Sequence, residues 1–257
     1  AHAEIARMYW IEANTSSDPA ELMPKAKAAA EKALASEGAP ATAHVVRAMV
    51  YESEFDWTNA EREYQRAIEL SPNLDFARNN YAFFLSVLNR QDEALAQLEE
   101  QRLRDPLNER LFLLQKAIVL VQARRFDDAL RAYQEAQSLD PAKQGTEFAI
   151  GYAYAGKGMT GEAIEYYKKS VASLSGEGTY SQPLVYLAAL YAKNPETRPE
   201  AQAILKRIEA SGEYTSPAIM AIAYTAMDDN DKAMELLEKA YIKRDLLLRY
   251  IATGYEY

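Results

Sequence analysis

Ala60-Glu61-Arg62-Glu63-Tyr64-Gln65-Arg66-Ala67, closed by Ser71-Pro72, is the stretch that decides the fold, because its alanine returns down the whole chain. The same small residue stands at Ala26, Ala60, Ala94, Ala129, Ala163, Ala201 and Ala233, in steps of 34, 34, 35, 34, 38 and 32 residues. Three of these alanines are followed twelve residues later by a proline, at Pro72, Pro106 and Pro141. A period in this range is the mark of a stacked repeat, in which each unit buries its apolar face on the next. Such an array offers a long surface rather than a built-in pocket.

The neighbours of each alanine repeat with it. Twelve positions before it stand Ala48, Ala82, Ala117, Gly151 and Ala221. Nine before it stand Tyr51, Leu85, Leu120, Tyr154 and Tyr224, and four after it Tyr64, Leu98, Tyr133, Tyr167 and Leu237. Small residues let two helices approach closely, and bulky ones fill the space beside them. Apolar residues such as Leu113, Ala117 and Leu120 keep the spacing of a buried helical stripe. The pattern resembles the tetratricopeptide repeat, with its small-x2-bulky run, A-x3-F and terminal proline. The tryptophan that opens that pattern is missing, and His44 and Arg78 stand in its place.

The reading is therefore an all-α protein, an α-solenoid of about seven antiparallel helix pairs in one domain over 1–257. The resemblance implies a right-handed superhelix. The first pair, 2–37, is looser, with a polar turn at 14–18. Regular pairs follow at 41–74, 75–108, 110–143 and 144–177. A Ser/Gly-rich linker at 173–178 precedes looser pairs at 182–212, with a turn holding Pro195 and Pro199, and at 214–242. Helix ends are expected near Pro72, Pro106 and Pro141, because proline biases the residue before it away from the helical region. The stretch 243–257, with its apolar run 246–251, is expected to cap the stack.

Composition narrows the function. The chain is 49% hydrophobic, enough for a continuous core, and its formal charge is −9. Its Lys and Arg are dispersed among acids, as in Glu61-Arg62-Glu63, so direct nucleic-acid binding is not expected. No apolar run approaches the ~18–20 residues of a membrane span, so membrane insertion is not expected either. The chain has no cysteine, which removes disulfide and thiol chemistry. It opens inside a helical pattern, 3–11, without an initiator methionine, and reads as a segment of a longer protein. The expected compartment is the cytoplasm, or the periplasm if the parent is membrane-anchored.

Chemistry is hard to find. Gly151-x4-Gly156-Lys157-Gly158 imitates a phosphate loop, but Gly158 stands where Ser or Thr must hold magnesium, and no strand precedes it. Asp228-Asp229-Asn230-Asp231 lacks the glycine and distal glutamate of a calcium loop and reads as a turn and helix start. His2 and His44 have no ligand partners at zinc spacing. No enzyme, metal or cofactor is expected.

What remains is the surface. The resemblance places partner-binding positions on the first helix of each pair, here Thr42, Val45 and Met49, then Phe76, Asn79 and Phe83, then Leu111, Leu114, Ile118 and Val121, then Phe148 and Tyr152. The row is apolar. Of the Lys, Asn and Arg set with which chaperone-binding members grip an acidic tail, only Asn79 and Asn80 have a counterpart here, so such a tail is not the expected partner. Two functions follow: a scaffold that holds a peptide or helix in a concave groove, or a sensor of a small apolar ligand that controls an attached domain. Segments 24–34 and 55–64, together with 232–245, also resemble the C-terminal repeat regions of bacterial winged-helix or Ser/Thr-kinase regulators. Self-association through the ends of the stack stays open.

Overall fold

The computed structural model describes residues 1–15, 19–140, 145–173, 181–245 and 247–248. Among them are fourteen α-helices and one short 3-10 turn, and no strand. The chain divides into two compact units, Ala1–Ala123 and Arg124–Tyr257. The boundary falls inside the pair expected at 110–143.

The first unit holds α1 (His2–Thr15), α2 (Pro19–Leu34), α3 (Ala41–Ser53), α4 (Trp57–Leu70), α5 (Asp75–Val87), α6 (Gln91–Arg104), the 3-10 turn Pro106–Asn108 and α7 (Glu109–Gln122). The second holds α8 (Phe126–Leu139), α9 (Glu147–Gly156), α10 (Thr160–Ser173), α11 (Ser181–Ala192), α12 (Arg198–Ser211), α13 (Pro217–Ala226) and α14 (Asn230–Ile242). Within the units α1/α2, α3/α4, α5/α6, α9/α10, α11/α12 and α13/α14 pack as consecutive pairs. The repeating alanines Ala26, Ala60, Ala94, Ala129, Ala163 and Ala201 have no exposed surface, and Ala233 is buried. Close helix crossings need a side chain that small, and Gly151 serves the same purpose on α9.

The turn inside five of the pairs is built one way. The residue five before the alanine is left-handed: Phe55 (φ 60°), Asn89 (φ 62°), Arg124 (φ 57°), Gly158 (φ 76°) and Asp228 (φ 61°). That conformation closes the first helix by a backbone bond five residues back, as in Asp56 N to Tyr51 O (2.9 Å), Arg90 N to Leu85 O (2.9 Å) and Asp229 N to Tyr224 O (3.0 Å). The next residue can then start the second helix. Asp56 caps α4 by accepting from Asn59 N at 3.2 Å, and Asp229 caps α14 by accepting from Lys232 N at 3.1 Å.

Helices α4 and α6 stop at Leu70 and Arg104, two residues before Pro72 and Pro106. Helix α8 stops at Leu139; Pro141 lies outside the described residues. Three local expectations need correction. Asn14 and Thr15 belong to α1 rather than to a turn, while 16–18 lie outside the described residues. Ser173 ends α10, and the rest of the expected linker lies outside them too. Pro199 is not in the turn before α12 but in that helix's first turn, where its missing N–H costs nothing. Of the expected cap, only 243–245 and 247–248 are described.

Candidate partner-binding surface

In the first unit α5 touches α3 on one side and α7 on the other, so the expected row can be followed across three helices. Val45 is 0% and Met49 1% exposed. Both belong to the core of this unit, not to an open groove: α3 is covered by α1, α2, α4 and α5 together. Val121, on α7, is buried as well, and Thr42 is half-buried. Phe76 is half-buried over a small core of Ala6, Ala26, Ala29, Ala30 and Val46, with the Arg7 guanidinium 5.8 Å from its ring.

Asn79 and Phe83 are half-buried along α5. On α7, Leu111 is 42% and Ile118 37% exposed, with Leu114 half-buried between them. The row thus comes to the surface at α5 and α7. Two buried acceptors lie on the same helices without a hydrogen bond, Asn79 Oδ1 and Gln115 Oε1. Deeper between them, the Ser86 hydroxyl lies within hydrogen-bond reach of both the Phe83 carbonyl (2.7 Å) and the Gln122 side chain.

In the second unit Phe148 and Tyr152 lie on α9 and pack edge-on against Tyr186 of α11, with ring centroids 5.3 and 5.5 Å apart. Phe148 also meets Tyr167, at 5.6 Å. These two residues therefore belong to an aromatic cluster with Tyr167, expected as a packing residue of its repeat, and Tyr186, which was not anticipated. Burial pushes the Tyr186 phenol well above its ordinary range. Tyr186 escaped notice because it lies in the pair where the alanine step lengthens to 38 residues and the register is hardest to follow.

The missing tryptophans have a structural replacement. His44 Nδ1 donates to Glu63 Oε2 at 2.7 Å, and Arg78 Nη1 donates to Gln97 Oε1 at 2.8 Å. Each pair spans nineteen residues and links the first helix of a repeat to the second. A polar partner three residues after the alanine, Glu63 or Gln97, was the signal in the sequence.

Glu63 also accepts from Arg47 Nη2 at 2.5 Å. Burial alone would push its carboxyl up, but the His44 and Arg47 hydrogen bonds, with the Arg47 charge, outweigh it and hold the carboxyl below its usual range. A depressed carboxylate adds stability above its unfolded pKa and loses it as pH falls through the folded one. Acid titration of unfolding free energy should therefore show a decline beginning near pH ~4.5 that Glu63→Gln makes shallower. An unchanged acid slope in the variant would contradict this assignment.

The decoys resolve as structure. Gly151 and Gly156 sit within α9, and Gly158 forms the left-handed turn. Lys157 pairs with Asp127 at 2.5 Å. Asp228 pairs with Arg198 at 2.6 Å. Among the described residues no group of three His, Asp or Glu is arranged to hold a metal ion, and no helix is long and apolar enough to cross a membrane.

Comparison with known proteins agrees with this geometry. Residues 148–173 match the sequence family described as tetratricopeptide repeat. No curated protein matches the chain in sequence. Among solved structures, a tetratricopeptide repeat protein from Parabacteroides merdae is 12% identical over 97% of this chain and 98% of its own, with a TM-score of 0.61. PilW, described as a type IV pilus biogenesis factor, is 22% identical over 81% of this chain and 91% of its own, with a TM-score of 0.60. PilF of Pseudomonas aeruginosa is 21% identical over 82% of this chain and 90% of its own, with a TM-score of 0.55. At these identities the likeness speaks for the fold. The chain carries a tetratricopeptide repeat at 148–173 and has the all-α helical-repeat fold of tetratricopeptide repeat proteins.

Proposed function

We propose that the chain is a non-catalytic protein-interaction scaffold, and that its first unit receives an apolar face of a partner peptide or helix along α5 and α7. The supporting observation is the row Phe83, Leu111, Leu114 and Ile118. Leu111 and Ile118 lie seven residues apart on one helix, both more than a third exposed, with Leu114 between them. Seven residues is two helical turns, so these side chains line one stripe. Phe148 and Tyr152 are half-buried against the core of the second unit and are not part of this stripe. The absence of a cationic set among these row residues argues for apolar rather than charge-led recognition.

Selection from a displayed library of amphipathic helices and extended apolar peptides tests the reading. Leu111→Lys combined with Ile118→Lys changes exposed positions only, so the fold should survive, as circular dichroism would report. Binding of selected peptides should weaken roughly tenfold or more, since a few central apolar residues carry most of such an interface. Wild-type affinity should change little between low and high salt. Binders indifferent to the double change, or a selection that yields none, would remove this reading.

A further inference from the structure

Helices α5 and α7 touch each other and both pack on α6, to which short turns join them, so they run the same way. The contact between the Ser86 hydroxyl and the Gln122 side chain fixes their alignment. Seven residues, two helical turns, separate Ser86 from Asn79 and Gln122 from Gln115. Asn79 and Gln115 therefore face each other across the same seam. Asn79 Oδ1 and Gln115 Oε1 are both buried, and neither has a hydrogen-bond partner. Gln115 as a whole is only 7% exposed. A buried acceptor left bare is costly, so each oxygen calls for a donor.

Asp75 lies one turn before Asn79 on the same stripe of α5, level with Leu111 of α7. It is half-buried, and burial together with the like charge of Asp105 pushes its carboxyl up. Asp105 is occupied by its own turn, accepting from Leu107 N at 3.3 Å and from the Asn108 side chain. Nearby arginines are engaged elsewhere: Arg104 with Glu100 at 3.6 Å and Asn73 at 3.4 Å, and Arg78 with the Pro72 carbonyl at 3.2 Å. The seam thus gathers two bare carbonyl oxygens and a carboxylate held beside another acid. A donor that carries positive charge complements that set. A primary ammonium has three N–H donors and no acceptor, one donor for each group.

We propose that this stretch of the α5–α7 seam receives a primary ammonium, the head of a lysine on the partner peptide, among Asp75, Asn79 and Gln115, with Leu111 against its methylene stem. The identity of the carrier rests on the reading of α5 and α7 as the landing surface; the ammonium site does not. A partly buried ion pair is screened far less than an exposed one, so the weak salt response expected of the apolar stripe is kept.

Nuclear magnetic resonance of the Asn79 and Gln115 side-chain amides in the full chain tests this, with n-butylammonium chloride added at constant ionic strength. A saturable shift at both residues is expected. Tetramethylammonium has the charge but no N–H, and butanol has the stem but no charge. Each should bind roughly tenfold more weakly or worse, the loss of hydrogen bonds to a charged group. Asp75→Asn removes one of two like charges, so the fold should survive while butylammonium binding falls by a similar factor. Gln115→Met keeps the volume, loses the bare oxygen and should weaken binding too. No saturable shift, equal binding of either control, or wild-type binding in Asp75→Asn would overturn the proposal. The carrier is tested apart from the site. Peptides selected on the stripe should hold a lysine whose replacement by norleucine costs roughly tenfold in wild type and little in Asp75→Asn. Stripe-binding peptides without such a lysine would overturn the lysine assignment and leave the apolar reading standing. Butylammonium bound at the seam with no peptide selected would support the site and remove the scaffold reading.

Discussion

Tyr64→Ala is expected to lower the unfolding free energy by about 3–5 kcal/mol, the range for deleting a fully buried aromatic ring. Tyr64, on α4, is 1% exposed and packs its ring on α5, with ring centroids 5.4 Å from Phe84 and 5.8 Å from Tyr81. Its hydroxyl donates to Glu52, a glutamate of α3 that is only 4% exposed. Removing the ring opens a cavity and leaves a buried carboxylate one donor short. Tyr64→Phe separates the two effects: it keeps the packing and should cost about 1–3 kcal/mol for the lost donor to a buried charged group. In a Glu52→Gln background that cost should shrink, because a neutral amide suffers less from the loss. Urea unfolding followed by circular dichroism, with an unchanged slope, measures all of these. A Tyr64→Ala loss under about 1 kcal/mol would show that this part of the core can collapse around the gap.

Gly151→Leu is expected to cost about 3 kcal/mol, the upper part of the range for overpacking. Even a Cβ on Gly151 would lie 2.8 Å from Tyr167 Cδ1 and 3.1 Å from Tyr166 Cβ. Tyr167 is wholly buried and cannot swing away. Alanine normally favours a helix over glycine by about 0.5–1 kcal/mol, yet Gly151→Ala should destabilise. Gly161 of α10, whose added Cβ meets nothing within 4 Å, supplies the control, and Gly161→Ala should be neutral or stabilising. Gly156→Ala should cost less than Gly151→Ala, since its Cβ would meet only the ring of the half-buried Phe126, which can shift. Opposite signs at Gly151 and Gly161 in thermal melts would confirm that Gly151 of the phosphate-loop look-alike is there for close contact. Equal signs would refute it.

The helix pairs were legible because close crossings demand a small side chain at fixed intervals, and Ala60, Ala94 and Ala129 advertise it. Their burial was readable for the same reason. The surface was less so. Val45 and Met49 share the register of Asn79 and Phe83, yet α3 is enclosed while α5 and α7 are partly open. A repeat register gives the face of a helix, not how many neighbours cover it. Polar pairs were legible only in part. His44 and Arg78 were visible as departures from the pattern, but their partners lie nineteen residues away on another helix.

The left-handed turns and nineteen-residue pairs bear on how the chain folds. Glu52–Tyr64, His44–Glu63 and Arg78–Gln97 all close loops of twenty residues or fewer, so little chain entropy is lost before each contact forms. Low sequence separation makes folding fast. Among the described residues no strand must wait for a distant partner, and several helix pairs can nucleate independently, each completed by its neighbours. A substitution that cripples one pair should then redirect the order of assembly within its unit instead of arresting it.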